Sequence, residues 1–111
     1  MKLKFRRWDK INKVMLQHKD IPVLLKNAHN DNQFEYMLWT GLLDKAGQKI
    51  FEGDIIHGKL VAPTVGTMGV IKWDNRLAMW ANRNESGLTP LFKIRDIEVI
   101  GNIHQNPELT K

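Results

Sequence analysis

The side chains best placed to do chemistry lie in "EGDIIH", residues 52–57. Glu52 and Asp54 are two residues apart, so a strand would set both carboxylates on one face. Paired carboxylates do acid–base work when one is desolvated and its pKa rises. A partner for them is missing. His57 is three residues beyond Asp54, and a regular strand sends those two side chains to opposite faces. His18, His29, His57 and His104 show no spacing that would gather two imidazoles on one metal. Glycine-flanked serine nucleophiles, phosphate-cradling loops and dinucleotide fingerprints are all absent, and so is cysteine. The expectation is a protein that is not an enzyme, with no catalytic residue, cofactor or metal ligand to assign. Glu52 and Asp54 then read as turn residues, with Gly53 free to take a positive φ and Asp54 accepting nearby backbone N–H groups.

A second chemistry, polyanion binding, is suggested by charge. The 111-residue chain carries a formal net charge of +5. Residues 1 to 19 hold Lys2, Lys4, Arg6, Arg7, Lys10, Lys13 and Lys19 against Asp9 alone. The rest of the chain is close to neutral. Clustered cations bind phosphates by releasing their counterions. Trp8 sits among Arg6, Arg7 and Lys10, where an aromatic ring could stack on an unpaired base or pack under an arginine. Lys2, Lys4, Arg6, Arg7, Trp8, Lys10 and Lys13 are therefore the candidate nucleic-acid-binding residues. The alternative is that this segment only solubilises the chain. Of the four tryptophans, Trp39 and Trp73 are expected in the core.

The elements that must position these groups are short strands separated by turns. "LKFRRW" and "KVMLQ" flank an Asp/Asn turn, so residues 3–17 read as a basic hairpin. "IPVLLK" contains Pro22, which confines it to a strand start or an edge. "NAHNDNQ", residues 27–33, is a polar loop and the expected boundary between a 1–33 segment and a 34–111 domain. "FEYMLW" resumes a strand, and "LLDKAGQKIF" is a hairpin turning at Gly47. "GVIKW", a "DN" turn and "RLAMW" form a third hairpin. "NRNESG" reads as a loop, and Pro90 argues against a central strand in "LTPLFKI". "DIEVIGNI" is a final strand with Ile97, Val99 and Gly101 on one face, and Asn106-Pro107 can start one helical turn. No stretch keeps helical periodicity over ten residues.

The expected fold is mainly β with little helix: a basic N-terminal hairpin segment, then a small, partly open SH3-like barrel over residues 40–104. Its framing turns use Gly47, Gly53, Asp54, Gly69 and Gly101, with Gly69 relieving crowding where a strand coils. The longest apolar runs are a few residues, far short of the ~20 that span a bilayer, and the basic N-terminus lacks the apolar segment of a signal peptide.

Three stretches taken together resemble a known family. "KFRRWDKINKVM" at 4–15, "TGLLDKAGQKIFEGDII" at 40–56 and "IEVIGNIHQNPEL" at 97–109, with "GVIKWDN" between the last two, are similar to the YopX family of small phage and prophage proteins. Phe51 stands where tyrosine is common, and His104-Gln105 where Tyr-Glu is common. The resemblance implies a phage or prophage origin and a β-rich fold. It assigns no reaction and no site residues. With no cysteine and no signal or spanning segment expected, the expected location is the cytoplasm of a host bacterial cell. Two kinds of partner remain in view: nucleic acid at the basic hairpin, or a protein (a host protein, or a second copy as a homo-oligomer) at unpaired edge strands.

Overall fold

The computed structural model describes residues 4–17, 33–61 and 63–110. Their contacts divide the chain into two compact units, Met1–Trp39 and Thr40–Lys111. The division falls inside a strand rather than in the polar loop, because residues 34–38 pair with the first strand and belong to its unit. "IPVLLK" and most of "NAHNDNQ" lie outside the described residues.

In the first unit β1 (Phe5–Asp9) lies between β2 (Val14–Gln17) and the first half of β3 (Phe34–Leu43), antiparallel to both. The β1–β2 turn is organised by Asp9. Its Oδ1 accepts the N–H groups of Ile11 and Asn12, each at 3.0 Å, and its Oδ2 accepts Asn12 Nδ2 at 2.8 Å. Lys13 closes the turn at φ 57°.

In the second unit the remainder of β3 neighbours β4 (Lys49–Phe51), and a five-stranded antiparallel sheet follows. Its order is β8 (Gly87–Pro90), β7 (Met79–Asn84), β6 (Gly66–Asp74), β5 (Asp54–Leu60), β9 (Ile94–Asn102). This sheet curls into a half-barrel, the mainly-β architecture expected. Ile50, Ile56, Ile71, Leu91 and Ile94 form the buried core, with Leu60, Trp80, Ile97 and Val99 packed against it. Helical structure among the described residues is limited to 3-10 turns at Leu91–Lys93 and Pro107–Thr110.

Three local expectations are corrected. "RLAMW" does not return as a strand from Arg76: residues 75–78 form the turn, Ala78 takes φ 51°, and β7 starts at Met79. "NRNESG" is not all loop, since Asn82–Asn84 lie in β7 and only Glu85-Ser86 turn the chain before Gly87, at φ 119°. Gly101 does not share a face with Val99. A register shift makes Val99 the partner of Ile56, on the core side, and Gly101 the partner of Ile55.

Candidate functional site

The hairpin residues singled out by charge are scattered by the fold. β1 is a central strand, and Arg6, Arg7 and Trp8 on it are only 8%, 5% and 7% exposed. The Arg7 guanidinium lies 4.0 Å from the centroid of the Phe34 ring, and its Nε and Nη1 have no hydrogen-bond partner among the described residues. Lys4 is half-buried, with Nζ 5.5 Å from the Trp39 ring. Lys10 and Lys13 are exposed on the turn, and Lys2 lies outside the described residues. The expected apposition of an open Trp8 and surface arginines is therefore not what the hairpin presents. The tryptophan assignments also change: Trp8 is buried, while Trp73 is 44% exposed and packs edge-to-face on Trp80 with centroids 5.3 Å apart. Trp39 is half-buried. Alternation along β1 could not rank Arg6 and Arg7 by exposure, because successive residues from Arg6 to Asp9 are all buried and both faces of the strand are covered.

The residues of "EGDIIH" are held by turn geometry. Asp54 is 1% exposed and its Oδ2 accepts the Phe51 N–H at 2.8 Å; Gly53 has φ 85°. His57 projects to the other face of β5, opposite Glu98 of β9 and Met68 of β6. No group of three His, Asp or Glu side chains is placed to hold a metal among the described residues.

The far face of the five-stranded sheet, away from the isoleucine core, carries chemistry that chain-order reading missed. Register sets the layout. Lys59 of β5 is directly opposite Arg95 of β9; His57 is opposite Met68 on β6 and Glu98 on β9, whose carboxylate is 3.8 Å from Lys45 Nζ; Ile55 is opposite Val70, which in turn faces Arg83 of β7. Lys72 follows Val70 two residues on, on the same side. Lys59, Arg95, Lys72 and Arg83 are all exposed, and none makes an ion pair among the described residues. Like charges directly opposite on antiparallel strands destabilise the sheet, so Lys59 and Arg95 stand together at a cost that an external anion would offset. From Ile55 to Lys59 is about 13 Å along the strand.

At the other end of this face the chain folds back. Asn106 sits where a Cβ on Gly101 would be, within 2.5 Å of that position. Asn102 Oδ1 accepts the N–H groups of His104 and Gln105 at 3.0 and 2.9 Å, and Asn106 Oδ1 accepts the Asn102 N–H at 3.2 Å. The turn so fixed brings Leu109 to the edge of a cleft of about 590 Å³ that is floored by Ile55, Met68 and Val70 and walled by Arg83. The cleft lies where the β6–β7 pairing ends. β6 and β7 pair from Asp74 to Val70, and beyond that Asn84 Nδ2 bridges them by donating to Met68 O at 3.0 Å and Thr67 Oγ1 at 3.3 Å. Gly69 lies at that end, where β7 approaches so closely that a Cβ would come within 2.5 Å of the Arg83 carbonyl oxygen. The sequence signal that could have revealed this face is the alternation Ile55-His57-Lys59, but its partner residues depend on two register shifts in β5–β9.

No curated protein matches the chain. Among solved structures it resembles the crystal structure of protein EF1440 from Enterococcus faecalis. The two are 25% identical, the match covers 100% of this chain and 99% of that one, and the TM-score is 0.67. The model of the YopX protein family matches residues 4–111, which takes in the Asp9 turn, the Gly53-Asp54 turn and the Asn102–Asn106 turn alike. With nearly its whole length so matched, the chain belongs to the YopX family.

Proposed function

We propose that this YopX protein is a non-enzymatic accessory module that binds nucleic acid, acting in the cytoplasm of a bacterium that carries the encoding phage or prophage. The observation that carries the reading is the Lys59–Arg95 pair: two cations on adjacent strands, exposed, directly opposed and without acidic partners among the described residues. A sheet tolerates such a pair most readily when phosphates neutralise it. Arg83 and Lys72 extend the same face, and Lys10 and Lys13 add peripheral charge on their own unit. The phage assignment rests on the motif resemblance, and the absence of a catalytic role for Glu52 and Asp54 rests on their turn positions.

In the five-stranded sheet, association through edge strands has less to work with. β8 is four residues long and ends at Pro90. Along β9, the Lys45 N–H donates to Ile97 O at 2.8 Å and Asp44 Oδ2 accepts the Val99 N–H at 3.1 Å, so that edge is already occupied.

The test is fluorescence anisotropy of labelled oligonucleotides titrated with the protein at low salt. Binding in the micromolar range or tighter, falling linearly on a log–log plot against salt, is the expected result. No binding at low salt would overturn the reading.

A further inference from the structure

The cleft at the other end of the cationic face is lined by groups that suit something flatter and less charged than a phosphate. Its floor is Ile55, Met68 and Val70, and Met68 is 44% exposed despite lying mid-strand. One wall is Arg83, whose planar guanidinium stacks on aromatic faces as well as attracting anions. Glu85 and Ser86, on the β7–β8 turn, reach the rim. A carboxylate at that rim repels a phosphate but accepts hydrogen bonds from exocyclic amino groups and ring N–H groups of bases. Apolar floor, stacking cation and a polar rim are the parts of a site for an unstacked base.

Its position fits the same ligand. Lys59 and Arg95 lie about 13 Å along β5 from the Ile55 row that floors the cleft. The span is that of a few nucleotides, so a strand whose phosphates run past Lys59 and Arg95 can turn a base into the cleft. A duplex keeps its bases stacked and paired inside, and has nothing to place there.

We infer that the cleft bounded by Arg83, Met68 and Leu109 accepts an unstacked base, so that the preferred ligand of this face is single-stranded nucleic acid. The inference rests on the nucleic-acid reading above and narrows it to one class.

The probes are a labelled single-stranded oligonucleotide and the corresponding duplex, measured at equal salt against the wild type, Met68→Ala, Arg83→Lys and the Lys59→Ala/Arg95→Ala double variant. Arg83→Lys keeps the charge and removes the planar stacking group. Met68 and Arg83 are exposed, so both variants are expected to fold, and unchanged thermal melting checks this. The wild type is expected to prefer the single strand. Met68→Ala and Arg83→Lys are each expected to weaken single-strand binding about tenfold, the scale of one lost base stack, without altering the salt slope or duplex binding. The double variant is expected to weaken both ligands and lower both slopes. If single strand and duplex bind alike and the cleft variants leave both unchanged, the base site is wrong while the cationic face stands. If neither ligand binds the wild type, the nucleic-acid reading itself fails and the base site falls with it.

Discussion

Arg7 shows why residue type alone misdirects the reading of the hairpin. A guanidinium that is 5% exposed and stacked 4.0 Å from Phe34 is part of the packing of its unit. Its truncation should cost stability through lost ring and stem contacts, about 1–2 kcal/mol, and should leave the salt dependence of nucleic-acid binding unchanged. Thermal melting of Arg7→Ala beside its binding isotherm separates the two; a flattened salt slope with intact stability would return Arg7 to the surface role. Asp9 carries a second residue-scale prediction. The Asn12 backbone N–H is the chief cause that holds its carboxyl at about 2, aided by the Asn12 and Gln33 side-chain amides and the Ile11 N–H, while desolvation opposes them. A carboxyl depressed in the folded state contributes stability above its unfolded pKa and loses it as pH falls through the folded value. Stability should therefore decline between about pH 4 and pH 2, and Asp9→Ala should be less stable at neutral pH with a flatter profile across that window. An unaltered acid profile in the variant would show that the turn does not depend on the ionised carboxylate.

At the scale of elements, the turn "DKAG" is more than a hairpin connection. Asp44 Oδ1 accepts the Ala46 and Gln48 N–H groups, both at 2.9 Å, while Oδ2 reaches across to Val99 on β9. Desolvation raises the Asp44 pKa, but the hydrogen bonds from Val99, Gln48 and Ala46 and the Lys45 charge outweigh it and bring it below the usual carboxylate value. Asp44→Ala should lose about 1–3 kcal/mol, because it frees donors that the carboxylate holds. It should also open the β9 edge, which light scattering would register as association rising with protein concentration. A variant that stays as monodisperse as the wild type would mean that the edge is protected by other means. The Lys45–Glu98 pair beside it, at 3.8 Å and half-exposed, adds little. Much of this level was legible in the sequence: the Asp9, Gly47, Gly53 and Asn106-Pro107 turns each announce themselves by local chemistry. The β9 cap was not legible, since Asp44 and Val99 meet only once the sheet has formed. Nor were the two ends of β7, because Ala78 in a left-handed conformation before it and a polar "NRN" closing it both contradict local propensity.

For the molecule as a whole, net charge summed along the chain is a poor guide to where the exposed cations lie. Summed along the chain, the cations concentrate in residues 1–19, yet burial removes Arg6 and Arg7 from the surface of that segment. The near-neutral remainder, by contrast, lines up Lys59, Arg95, Lys72 and Arg83 on one sheet face through cross-strand register. A charge count by segment averages those cations with the acidic residues around them, Glu98 on the same face included, and sees nothing. The framing glycines were recognisable because a turn or a close approach demands them: Gly69 meets the Arg83 carbonyl and Gly101 meets Asn106. The cleft was not, because it forms only where the β6–β7 pairing ends and the chain after β9 folds back.

The central claim, that the cationic sheet face and not the hairpin carries nucleic-acid binding, is tested most directly by the salt dependence of single-strand binding in two double variants. Lys59→Ala/Arg95→Ala should lower the log–log slope by about 1.4, two phosphate contacts on a single strand, while Lys10→Ala/Lys13→Ala should change it far less. The opposite ranking, with the hairpin variant taking the larger loss, would contradict the account and place the binding surface on the first unit.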